Sequence, residues 1–140
     1  MTCCFFGHRE VEDDIESILK ETIVQLINEG VKNFYVGNHG AFDKMVYRVL
    51  KKICEENPTV KFAVVLAYLS TKGNNYSNSI YPEGLEKVPM RFAISHRNKW
   101  MIDKSDYVIV YVKRNVGGAV QFYEMAKRKG KKVINIAEKF

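Results

Sequence analysis

The run Val108-Ile-Val-Tyr-Val112 is apolar at every position, and it is followed by Gly117-Gly118 and then by Ala119-Val-Gln-Phe-Tyr-Glu124. A strand apolar on both sides must be buried on both faces, which confines the chain to folds in which helices cover both surfaces of a sheet. Gly117 and Gly118 let the backbone turn tightly and approach a ligand closely. A helix starting near Ala119 aims its free N–H groups and positive dipole end at that ligand, so an anion, most often a phosphate, is the natural guest.

The remaining segments repeat this pattern. Thr2 to Phe6 is a short apolar run ending at Gly7, with the polar His8, Arg9 and Glu10 directly after it. Ile15, Ile18, Leu19, Ile23, Leu26 and Ile27 then recur at helical spacing, with Glu12, Asp13 and Asp14 expected in the first turn and Gly30 as the stop. Asn33 to Val36 predicts a second strand, the turn Gly37-Asn-His-Gly40 follows, and Ala41 to Glu56 predicts a helix closed by Asn57-Pro58. Lys61 to Leu66 predicts the third strand. From Ser70 to Pro89 periodicity is lost over about twenty residues; a loop of that length in a compact domain is usually functional, and Tyr76 and Tyr81 favour a lid or binding loop over disorder. Phe92 to Lys104 predicts a helix, Tyr107 to Val112 a strand, Ala119 to Lys129 a helix and Lys132 to Ile136 a last strand.

Strands that alternate with helices and are themselves apolar blocks predict one Rossmann-like three-layer α/β domain spanning 1–140, with a parallel sheet of about five strands. Ligands of such sheets bind beyond the C-terminal strand ends, where the strand order reverses. Gly7-His8-Arg9, Gly37-Asn38-His39-Gly40, the residues after Leu66 and the Gly117-Gly118 loop all fall on that edge. Their convergence is the argument from the residues that a site exists.

Composition narrows the setting. No apolar run approaches the ~18 residues of a membrane span, and Met1-Thr-Cys-Cys-Phe-Phe passes straight into Gly7, so a cytoplasmic protein without a membrane partner is expected. Cys3 and Cys4 are strand neighbours facing opposite sides, which suits reduced, buried thiols rather than a joint metal site. His8, His39 and His96 show no metal spacing. The formal net charge is +6, and the densest basic cluster, Lys127 to Lys132, lies where a helix ends at Gly130. Cations are favoured there by the helix dipole, and no aromatic residues are interleaved, so nucleic acid is not expected as a partner.

Arg97-Asn-Lys-Trp-Met101, Ser105-Asp106 before an apolar strand, and Gly117-Gly-Ala-Val-Gln-Phe-Tyr-Glu124 together resemble the SLOG superfamily, whose best-known members are the lonely guy (LOG) phosphoribohydrolases. Arg97 and Met101 match the LOG Arg-Lys-x-x-Met stretch with Asn98 in place of lysine. Gly117, Gly118 and Glu124 match Pro-Gly-Gly-x-Gly-Thr-x-x-Glu, whereas Val120 replaces its third glycine and Gln121 its threonine. The phrases Cys3-Cys-Phe-Phe-Gly-His-Arg9 and Phe34-Tyr-Val-Gly-Asn-His-Gly-Ala-Phe-Asp43 look more like short SLOG proteins related to YpsA.

The resemblance implies a small-molecule ligand, a nucleotide or ADP-ribose-like molecule, captured at the sheet edge by a sensor or sequestering module. Gly7, His8, Arg9, Gly37, Asn38, Asp43, Arg97, Gly117, Gly118 and Glu124 are the candidate binding residues. The alternative it implies is a nucleoside 5′-monophosphate phosphoribohydrolase, with Glu124 and Arg97 as catalytic residues at the sugar. Neither requires a cofactor or metal. Val120 and Gln121 favour binding over turnover, because a β-branched residue does not readily adopt glycine's positive φ. LOG-like relatives commonly dimerise, so a homodimer or higher homo-oligomer is expected, with Trp100 and Met101 on a candidate contact face.

Quieter roles stand beside these. Glu124 suits a helix-surface ion pair with Arg128, Arg97 a surface charge, Asp106 a turn before a strand, and Asp43 a partner for a helix dipole.

Overall fold

The computed structural model describes residues 1–69, 76 and 78–139. Its centre is a six-stranded parallel sheet in the order β4-β3-β2-β1-β5-β6, formed by β1 (Thr2–Gly7), β2 (Asn33–Val36), β3 (Lys61–Val65), β4 (Ser79–Ile80), β5 (Tyr107–Tyr111) and β6 (Lys132–Asn135). The chain runs outward from β1 through β2 and β3 to β4, then returns to the other side of β1 for β5 and β6. The order therefore reverses between β1 and β5, where Phe5 pairs with Ile109 and Gly7 with Tyr111.

Four α-helices cover the sheet: α1 (Glu16–Asn28), α2 (Gly40–Glu56), α3 (Ala93–Lys104) and α4 (Gly118–Arg128). Alternation along β1 divides the core into two layers. Cys3 and Phe5 face a cluster containing Leu19, Ile23, Phe42 and Leu50 of α1 and α2. Cys4 and Phe6 face Met101 and Ile102 of α3 and Phe122 and Ala126 of α4. Both thiols are free and buried. Burial drives the Cys3 thiol well above its ordinary value and pushes Cys4 up to about 12, so neither is a ready nucleophile.

The expected three-layer α/β fold is present, with one strand more than anticipated. Residues Ser79 and Ile80 pair with Val64 and Val65 inside a stretch expected to lack regular structure. Of the expected lid or binding loop, residues 70–75 and 77 lie outside the described residues. Its two tyrosines pack inward: Tyr76 meets Tyr47 edge to face at 5.3 Å, and both Tyr76 and Tyr81 contact the α1/α2 core layer.

A second difference concerns α1, which begins after Ile15, so that Glu12, Asp13 and Asp14 precede the helix. Asp13 instead accepts hydrogen bonds from the Tyr111 hydroxyl at 2.6 Å and from Lys113 Nζ at 3.1 Å. Among the described residues no helix is long and apolar enough to cross a membrane.

Candidate functional site

A cavity of about 460 Å³ opens at the C-terminal edge of the sheet, where β1 and β5 part. Gly7, His8 and Arg9 line it from the end of β1, His39 and Asp43 from the start of α2, Arg97 and Asn98 from α3, and Arg114, Gly117 and Gly118 from the loop between β5 and α4. Topology alone assembles this set: each loop leaves a parallel strand on the same edge. Gly117 precedes α4 with φ of 110°, a conformation glycine takes without strain, and no side chain caps the helix. The first N–H groups of α4 are therefore left to the cavity side.

Arg97 is 2% exposed. Its Nε donates to Asn98 Oδ1 at 2.7 Å, Nη1 donates to the Val65 carbonyl at 2.8 Å and to Asn38 Oδ1 at 3.3 Å, and Nη2 lies 3.2 Å from His39 Nδ1. One guanidinium thus ties α3 to the ends of β2 and β3. Among the described residues no carboxylate forms a salt bridge with Arg97 or Arg9, so their charge remains available to the cavity. Burial lowers the Arg97 pKa from its ordinary value, against the pull of Asp43 and Tyr68.

Asp43 accepts a hydrogen bond from the His39 backbone at 3.0 Å. Burial pushes its carboxyl up to about 6, against the lowering effects of that hydrogen bond and of Arg97. His39 is lowered by burial and by the nearby Arg97 and Arg9, so its neutral form is favoured. Gly37 lies between Asp43 and Arg97, and with Asn38 it lines a neighbouring cavity of about 250 Å³ that shares Asp43 as a wall.

His8 is 6% exposed and stacks edge-on against Tyr111 at 5.8 Å. Its Nε2 accepts hydrogen bonds from the backbone N–H of Lys113 at 2.9 Å and of Arg114 at 3.3 Å. Burial and then the Arg114 charge lower its pKa.

The structure brings nine of the ten expected binding residues to these two cavities through short loops, seven lining the main one and Gly37 and Asn38 the smaller one in the β2–α2 turn; Glu124 stands apart. Glu124 is exposed on α4 and ion-paired with Lys127 Nζ at 3.3 Å, and it does not line the main cavity. Arg97, for which a surface position was one expectation, is among the most buried side chains. Trp100 is half-buried against Tyr35 at 5.3 Å. Arg114 was not among the expected site residues. Its signal was a cationic pair, Lys113-Arg114, in the loop after the central strand.

Solved structures similar to this chain include two of DNA processing protein A. One is DNA processing protein A from Streptococcus pneumoniae, at a TM-score of 0.68 and 20% identity, covering 94% of this chain. The fold is similar to that of DNA processing protein A. The other is the Helicobacter pylori protein of that name, described for its single-stranded DNA binding mode, at a TM-score of 0.66 and 16% identity over 95% of this chain. This chain spans 48% and 63% of those chains, less than two thirds of either. No family model matches it and no curated protein does. At these identities the likeness is one of fold.

These findings correct the expected partner. The expected small nucleotide or ADP-ribose-like ligand, and the alternative phosphoribohydrolase, give way to a fold whose structural neighbours are DNA processing proteins, one of them described binding single-stranded DNA. The exclusion of nucleic acid is overturned by the same finding. Its physical basis was the Lys127–Lys132 cluster, three of whose charges are engaged locally. Lys127 lies over the Tyr123 ring at 4.2 Å, Lys129 pairs with Asp103 and Lys132 lies over Tyr107 at 5.4 Å. The cavity's positive charge comes instead from Arg9, Arg97 and Arg114, which are far apart in sequence.

Proposed function

We propose that this chain binds single-stranded DNA across the C-terminal edge of its sheet, with residues 1–140 acting as one binding domain in the cytoplasm. The observation that carries the proposal is the arginine set of the main cavity, Arg9, Arg97 and Arg114 beside the uncapped start of α4. Guanidinium groups and helix N-terminal amides are both donors suited to phosphate oxygens. Likeness in fold to proteins that process and bind DNA supports the same reading.

Exposed apolar side chains border the site in a manner suited to unstacked bases. Val116 lines the cavity and is 72% exposed, and Phe92, 48% exposed, lies two residues before the cavity-lining Ile94 with the Arg91 guanidinium 4.9 Å from its ring centre. Stacking on such surfaces is tolerant of sequence, so binding with little base preference is expected. Gly7, His8, Gly117 and Gly118 serve as the turns that form the cavity wall. The opening phrase Cys4-Phe-Phe-Gly-His-Arg9 supports a place for the chain among short SLOG proteins related to YpsA.

Fluorescence anisotropy with a labelled oligothymidylate tests the proposal. Binding is expected at low salt, with a slope of log affinity against log salt that falls by roughly one when Arg9 or Arg114 is replaced by alanine. Absence of binding at low salt, or affinity and slope unchanged in both variants, would overturn it.

A further inference from the structure

The loop between β5 and α4 carries Lys113, Arg114, Val116 and Gly117, and it has few packing contacts to hold it: residues 113–118 are exposed. It is nevertheless fastened to the segment after β1 at several points. Lys113 Nζ pairs with Asp13 at 2.9 Å and Arg114 with Glu12 at 3.9 Å, both exposed or half-exposed contacts of the kind that contribute little alone. The buried fastening is His8, whose Nε2 receives two backbone N–H groups.

We propose that His8 is a positioning residue whose neutral ring clamps the β5–α4 loop by accepting the Lys113 and Arg114 amides, and so holds Arg114 at the cavity. An imidazole nitrogen has one lone pair, and both amide hydrogens are fixed by the backbone and point to it. The ring therefore carries its proton on Nδ1. Addition of a second proton places an N–H on Nε2 against two N–H donors, and the amides must then turn away. Asn135 holds the loop's first residue, Val112, but among the described residues Lys113 and Arg114 have no buried anchor other than His8, so their geometry follows the His8 charge state. The consequence for DNA binding rests on the function proposed above; the clamp itself does not.

The groups facing His8 set the direction. Tyr111 packs on its ring from β5, Lys113 and Arg114 face it from the loop, and Arg9 and Glu10 flank it in sequence. Glu10 and Glu12 share with it a small cavity of about 210 Å³, while His39, Asp43 and Arg97 line the main cavity with it. Burial and Arg114 lower its pKa, so the clamp is closed at neutral pH and opens as the medium becomes acidic. His39, also lowered by burial, and Asp43, pushed up to about 6, line the same cavity, so the effect of His8 is read as a difference between wild type and a His8 variant.

Glutamine is the informative substitution, because its Oε1 can reach the place of Nε2 and accept both amides without titrating. Amide resonances of Lys113 and Arg114 are followed by NMR from pH 8 to pH 5 in wild type, His8→Gln and His8→Ala, without DNA. The expected result is that wild-type amides move with the His8 ring titration, that the His8→Gln amides do not, and that His8→Ala loses their exchange protection throughout. Wild-type amides indifferent to the His8 titration, or His8→Gln amides that still titrate like wild type, would overturn the clamp.

The second arm measures oligothymidylate affinity. With each protein referred to its own affinity at pH 8, His8→Gln is expected to retain about fivefold more of that affinity than wild type once the medium is acidic enough to protonate His8. Identical pH profiles in the two proteins would overturn the link to binding. No DNA binding by either protein, with amides that titrate as expected, would remove the proposed function and leave the clamp standing.

Discussion

Arg97 donates from Nη1 to the carbonyl oxygen of Val65 at 2.8 Å, which fastens α3 to the C-terminal end of β3. The same side chain reaches Asn38, His39 and Asn98, so one guanidinium joins the β2–α2 turn, β3 and α3. Lysine has one nitrogen and cannot reproduce this fork. Arg97→Lys is expected to destabilise the fold by about 3 kcal/mol, in the range for disrupting a buried polar network. Urea denaturation measures this; a loss below about 0.5 kcal/mol would show that the network carries little stability.

Asp43 gives a pH-dependent stability. Its folded-state carboxyl is pushed from 3.8 up to about 6 by burial, so the folded protein favours the protonated form. The contribution is fully present below the unfolded value and is lost as pH rises through about 6; above that the buried charge costs on the order of 3 kcal/mol. Asn keeps an acceptor for the His39 amide but carries no charge. Asp43→Asn is therefore expected to gain ~1–3 kcal/mol over wild type at pH 8 and to lose that advantage near pH 4. A variant less stable than wild type at pH 8 would show that the charged carboxylate, held by Arg97, is the favoured form.

Gly7 is packed so closely that a Cβ there would lie 2.3 Å from the Phe42 ring. Phe42 is fully buried and stacks on Tyr111 at 6.0 Å, so it has no free direction in which to yield. Gly7→Ala is expected to cost about 2–3 kcal/mol through overpacking. Thermal unfolding reads the effect, and an unchanged midpoint would contradict the close packing of α2 on β1.

Phe92 separates binding from stability. Nearly half exposed, it contributes little to the core, and its ring, with the Arg91 guanidinium over one side, offers a surface on which a base can stack. Phe92→Ala is expected to weaken oligothymidylate binding by about tenfold, corresponding to ~1–3 kcal/mol for one stacked base, with the melting temperature almost unchanged. Equal affinity in variant and wild type would place the strand elsewhere on the surface.

Much of the scaffold follows from local pattern. The strand Asn33–Val36 has the bounds expected of it, and α2 and α4 begin within one residue of the expected positions, because apolar blocks and helical stripes are short-range signals. The strand Ser79–Ile80 was not visible, since two residues carry no period and exist as a strand only by pairing with β3. Glu12 and Asp13 had the signature of a helix first turn, yet long-range partners on the β5–α4 loop bind them more favourably than the end of α1. The charge of the site was hidden for a related reason: Arg9, Arg97 and Arg114 form no cluster in sequence, whereas the visible Lys127–Lys132 cluster is spread over local partners.

The sequence by itself determined the layered α/β architecture and the edge on which the polar turns collect, because both depend on periodicity and on glycine placement along the chain. Tertiary structure alone decided what those turns do. Folding buried Arg97 without a carboxylate partner, set His8 under the β5–α4 loop and left Glu124 paired with Lys127 on the surface. Those outcomes depend on distances between residues up to about a hundred positions apart, as for His8 and Lys113, and such distances are fixed only when the parallel strands align their loops on one edge.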